Sequence, residues 1–138
     1  MPIHVRNVLA VVVGFVAGSA ANMALVNVGP SIIPPPEGVD VRDAECLAKS
    51  IHLFEPRHFV MPFLAHAVGT FAGAFVACWI AATRKALMAY LVGVLFLCAG
   101  IAVSFMIPAP TWFIALDLVG AYLPMAWLAI RIGGRGKP

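Results

Sequence analysis

The chain has 138 residues, 62% of them hydrophobic and only 11% charged, with mean hydropathy +0.98 and a formal net charge of +3. A water-soluble domain of this size cannot hide that much apolar surface, because small folds leave a large share of their surface in solvent. The small cationic excess is scattered at the ends of apolar runs, which argues against a nucleic-acid partner and leaves the lipid bilayer as the expected one.

Four apolar runs follow one another, at 8–28, 59–82, 86–107 and 112–130. Each is about 19 to 24 residues long, enough to cross a hydrocarbon core about 30 Å thick at about 1.5 Å per residue. They lack the alternation of barrel strands, and a bilayer tolerates no unpaired backbone. The pattern therefore predicts an all-α fold, a four-transmembrane-helix bundle forming one domain over 1–138.

In the first run Gly14, Gly18 and Asn22 share one helical face. The run continues past Ser19-Ala20-Ala21 through Met23, Leu25 and Val26, longer than the about 7–15 apolar residues of a signal-peptide core, so the first helix is expected to be retained. An outer loop over 29–57 follows. Pro34-Pro35-Pro36 favours an extended segment. From Asp43 to Phe54, Ala44, Leu47, Ala48 and Ile51 recur at helical spacing. Asp40 or Asp43 can cap that segment, Glu45 and Lys49 form an i,i+4 pair, and Pro56 limits its continuation. It reads as a short amphipathic helix on the outer face or over the bundle mouth.

At the end of the loop His52, Glu55 and His58 are candidate metal ligands at H-x-x-E-x-x-H spacing. Pro56 interrupts the helix that would bring them to one face, so an interfacial belt is expected and no metal or other cofactor. Cys46 has no partner in the loop, and Cys78 and Cys98 fall in apolar helix interiors, where cysteine behaves as a small hydrophobe.

The second run carries His66, Gly69 and Gly73 on one face. A tight turn at Thr83-Arg84-Lys85 leads to the third, with Gly93, Gly100 and Ser104. Pro108 and Pro110 stop that helix and restart the fourth, which carries Asp117, Gly120 and Pro124. Small residues let helix backbones approach in a membrane, so Gly14, Gly18, Gly69, Gly73, Gly93, Gly100 and Gly120 are the expected packing positions.

Orientation follows from charge. Arg6, Arg84, Lys85, Arg131, Arg135 and Lys137 flank one end of the bundle, whereas the outer loop sets three cations against five acids, a balance of −2. The positive-inside rule then puts both termini in the cytoplasm (N-in, C-in) and the 29–57 loop outside.

Polar side chains in hydrocarbon are costly and turn toward a bundle interior or cavity. Asp117 lies about 10 Å below the outer end of its helix, and His66 and Asn22 fall at a similar depth, with Ser104 shallower. The stretch Ala65-His66-Ala67-Val68-Gly69 is similar in register to Leu116-Asp117-Leu118-Val119-Gly120, which sets His66 opposite Asp117 by pseudo-symmetry. Asp117, His66, Asn22 and Ser104 are therefore the candidate ligand or proton site. Nothing comparable marks the inner half, which disfavours a through-pore.

The chain as a whole resembles a family of small four-helix bacterial inner-membrane proteins with no assigned activity. The resemblance rests on "IPPPEGVDV", "HLFEPRHFVMPFLAHAVGTFAGAFVA" and "PTWFIALDLVGAYLPMAWL". It implies the four-helix topology and the inner membrane, and no mechanism. No hydrolase, redox or phosphate-binding motif is present, so an enzyme is not expected. The leading expectation is a non-enzymatic assembly or support subunit, acting as a homo-oligomer or with a membrane-protein partner. The alternative is a small transporter or ligand-binding protein with a polar pocket facing outward.

Overall fold

The computed structural model describes residues 1–134; Arg135 and Lys137, counted above in the charge balance, lie outside the described residues. Six α-helices are formed: α1 (Ile3–Ile32), α2 (Ala44–Ser50), α3 (Val60–Ile80), α4 (Lys85–Met106), α5 (Thr111–Gly120) and α6 (Leu123–Gly133). Short 3₁₀ turns at Ile51–Leu53 and Pro56–Phe59 join α2 to α3, and there is no strand among the described residues. Among the described residues four helical stretches are long and apolar enough to cross a membrane: α1, Pro56–Ile80, α4, and α5 with α6 together. The chain is an all-helical bundle compatible with a small multi-pass membrane protein.

Helix α3 is the hub, packing against α1, α4 and α6. Its contact with α1 is a backbone approach made possible by glycine. A Cβ on Gly14 would sit 2.6 Å from the Gly73 carbonyl oxygen, and a Cβ on Gly73 would sit 2.6 Å from that of Gly14. One turn further, Gly18 and Gly69 repeat the arrangement. Gly93 faces Ala126 of α6, where a Cβ would come within 2.9 Å of the alanine methyl. Gly120 differs from this expected packing role: the nearest atoms to its Cβ position belong to Phe63, at an ordinary 3.6 Å.

The first helix runs further than the apolar stretch suggests. Pro30 lies inside it, and Ile33 N–H still reaches the Gly29 carbonyl at 2.9 Å. A proline in the last turn removes one backbone bond and leaves the others intact. Gly29 meanwhile rests against Met61 of α3, which holds this turn in place.

The fourth span is broken, where a continuous helix was expected. Proline at 124 lacks an N–H and crowds the carbonyl four residues back, that of Gly120. Helix α5 stops there, Ala121 N–H closes on the Asp117 carbonyl at 2.9 Å, and α6 restarts with Pro124 in its first turn. Pro124 thus ends a helix rather than extending a stripe of small residues.

The end opposite the long loop is clamped by Asn7. Its Oδ1 accepts from the Ala82 and Thr83 backbone N–H groups at 3.0 and 3.3 Å, and its Nδ2 donates to Thr83 Oγ1 at 3.0 Å. Arg6 donates to the Ile80 carbonyl at 2.6 Å. These bonds satisfy backbone groups left over by the α3–α4 turn, in which Arg84 takes a left-handed conformation with φ 48°. Cys78 is buried, but Cys98 faces outward, contrary to its expected interior place.

Candidate functional site

The break after Gly120 creates the site. It swings Tyr122, which is 2% exposed, into the bundle, where its ring fills the notch left by the missing side chain of Gly100. From there the hydroxyl donates to Asp117 Oδ2 at 3.0 Å. His66 on α3 meets the other carboxylate oxygen, Nδ1 to Oδ1, at 2.8 Å. The imidazole also stacks over Tyr122, with ring centroids 5.9 Å apart and planes 25° from parallel. Thr70 Oγ1 donates to the His66 carbonyl at 2.8 Å, tying the buried hydroxyl to the turn that carries the histidine.

Asp117 is 5% exposed, and both its oxygens are engaged. A buried carboxylate is tolerated when its lone pairs are met in this way. The bond at Nδ1 fixes how the imidazole is presented, as second groups do for working histidines. Nε2 remains without a hydrogen-bond partner among the described residues.

Above this network lies a pocket of about 350 Å³ at the long-loop end. His66, Asp117, Ser104, His58 and Arg42 are its polar lining residues, and Leu25, Met61, Ile114 and Leu118 are among its apolar walls. The connecting loop forms the roof. Asp43 Oδ1 caps α2 by accepting from the Glu45 and Cys46 N–H groups at 2.9 and 3.2 Å. Leu47, Ile51 and Phe54 then face the pocket, and Ile51 packs with Phe59 and Phe113 in a small buried cluster. Lys49 and Glu45 pair at 2.6 Å on the outer side. The helical core is shorter than the 43–54 segment expected, because Ile51–Leu53 tightens into a 3₁₀ turn before Pro56.

Two of the four expected site residues therefore meet, and two do not. Asn22 lies on the α1–α3 crossing with its Cβ against Gly69, and its Oδ1 is buried without a hydrogen-bond partner. Ser104 lines the pocket, but its Oγ donates to the Ile101 carbonyl of its own helix at 2.6 Å. Tyr122 and Thr70 were not among the expected residues. The signal for Tyr122 was Pro124, whose helix break releases the tyrosine from the face an unbroken helix would give it.

The metal candidate does not assemble. His58 is buried, and its Nδ1 accepts from the Glu55 backbone N–H at 2.8 Å, so it acts as a local cap. The Glu55 carboxylate pairs with Arg57 at 3.0 Å, and His52 is exposed. No group of three or more metal-ligating side chains occurs among the described residues.

Beneath the network the core turns apolar, with Ala10, Ala77, Met88, Val92 and Phe96 packed together. Comparisons with protein-family models, with curated proteins and with solved structures find no match, so the functional reading rests on this geometry.

Proposed function

We propose that this chain is a small integral membrane protein that binds an apolar ligand in the pocket above His66 and Asp117. The observation that carries the reading is the combination of an apolar cavity of about 350 Å³ with an oriented histidine at its floor. Ligand sites have this form, largely apolar walls with a few placed polar groups. Ionisable groups at membrane depth are a further pointer to function.

Binding is favoured over conduction by the apolar cluster of Ala10, Met88, Val92 and Phe96 below the site, which offers no polar path onward. Charge supports an arrangement with both termini in the cytoplasm of a bacterial inner membrane, which sets the pocket on the outer side. Assembly with a second copy or another membrane protein, the leading expectation from the sequence, would use the outer surface of the helices. Gly14, Gly18, Gly69 and Gly73 are occupied by one another inside the chain.

The test is hydrophobic photolabelling of the full chain in lipid nanodiscs with an aryl diazirine, followed by peptide mapping. A ligand pocket predicts labelling at the inward positions Ile114 and Leu118 as well as on the outer surface. Filling the space with Ile114→Trp should suppress the label at Leu118. Labelling confined to outward positions such as Val12 and Leu116 would count against the reading.

A further inference from the structure

The pocket presents a narrow choice of hydrogen-bonding groups. Asp117 has one oxygen on His66 and the other on Tyr122, and it is 5% exposed. Beside Asp117 the lining therefore offers His66, with its Nδ1 already committed, and the lone pairs of Ser104, whose proton goes to Ile101; His58 joins the lining beside the loop, its Nδ1 taken by the Glu55 N–H. With the Nδ1 proton on the Asp117 carboxylate, the uncharged imidazole leaves a lone pair at Nε2, and a hydroxyl supplies the single proton that such a site takes.

Charged head groups fit poorly. An ammonium brings three donors and a charge that calls for a carboxylate facing it, and the only carboxylate lining the pocket among the described residues is already engaged on both oxygens. An anion would need a cation, and among the described residues the only Lys or Arg of the lining is the exposed Arg42. A head group held at Arg42 would push an apolar tail onto the polar end of the cavity.

The route of entry is also marked. Val26 of α1 and Val103 of α4 line the pocket and remain 43% and 42% exposed. Both lie within helices long and apolar enough to span a membrane, so the α1–α4 side is the one that would present the pocket to hydrocarbon. On the loop side the lining is apolar at Leu47, Ile51 and Phe54.

Resting on the ligand-pocket reading above, we infer that the ligand is an uncharged apolar alcohol. It enters from the bilayer between α1 and α4 and donates its hydroxyl hydrogen to Nε2 of His66.

Three photoreactive probes sharing one diazirine-bearing alkyl chain, and ending in a hydroxyl, a carboxylate or an ammonium, test this in nanodiscs with the full chain. The alcohol is expected to label Ile114 and Leu118 about tenfold more than either charged probe, the ratio set by one hydrogen bond and by the cost of a charge in the bilayer. His66→Phe should remove that preference, while His66→Gln, which keeps an acceptor, should retain most of it. Val26→Trp combined with Val103→Trp should slow labelling without changing the melting temperature. Equal or stronger labelling by a charged probe, a preference that survives His66→Phe, or a rate indifferent to the paired tryptophans would overturn the inference and leave the pocket reading standing. Failure of all three probes to reach Ile114 and Leu118 would remove the pocket reading itself.

Discussion

Asp117 and Tyr122 are five residues apart and joined by a 3.0 Å hydrogen bond, although an unbroken helix would turn them about 140° away from each other. The break at Ala121–Tyr122 removes that separation, so one proline two residues beyond the break shapes the polar centre of the bundle. Tyr122→Phe should leave Asp117 Oδ2 without its donor and destabilise the protein by about 1–3 kcal/mol. Unfolding in mixed micelles as detergent composition is varied measures this, and a change below about 0.5 kcal/mol would mean that the bond contributes nothing.

His66 and Asp117 should be energetically coupled. A double-mutant cycle on His66→Ala and Asp117→Ala is expected to give a coupling of about 1–3 kcal/mol, since either single change strands the other partner. Strict additivity of the two losses would show that the 2.8 Å contact has no stabilising role.

The glycines separate into positions that matter and one that does not. Gly14→Ala and Gly73→Ala each drive a methyl onto a facing carbonyl and should cost about 1–3 kcal/mol through forced separation of α1 and α3. Gly120→Ala meets only Phe63 at 3.6 Å and should be neutral or slightly stabilising. Thermal unfolding of the three variants side by side is the check; equal effects would contradict the packing described.

At the other end, Asn7→Ala should strand the Ala82 and Thr83 N–H groups and loosen the α3–α4 turn. Hydrogen exchange at those two amides should rise by at least about tenfold, with the amides around Asp117 unchanged. Uniform change along the chain would point to global destabilisation instead.

The apolar runs made the four spans legible, because hydrocarbon length and backbone satisfaction leave few alternatives. The pairing of His66 with Asp117 was legible from matching depth and the short internal likeness around them. Depth alone could not separate Asn22 and Ser104 from that pair. Which residue of a layer faces which depends on helix rotation, and here Gly69 draws Asn22 into the α1–α3 crossing while Ser104 bonds back to its own helix. The inward turn of Tyr122 was hidden for a related reason. Pro124 was legible as a helix breaker, but the side on which the chain resumes is decided by the space at Gly100. Asn7 looked like a flanking polar residue, and its role depends on a turn more than seventy positions away.

The account turns on His66 holding Asp117 through Nδ1 while it lines the pocket, which leaves Nε2 for a ligand. Nitrogen-15 NMR of imidazole-labelled protein in nanodiscs reads both atoms, with His66→Gln identifying its signals among the four histidines. On addition of a long-chain alcohol, the Nε2 resonance of His66 should move while Nδ1 stays where its bond to Asp117 holds it. An Nε2 signal that does not respond to any bilayer-soluble ligand would contradict the account and make the His66–Asp117–Tyr122 network a purely structural lock.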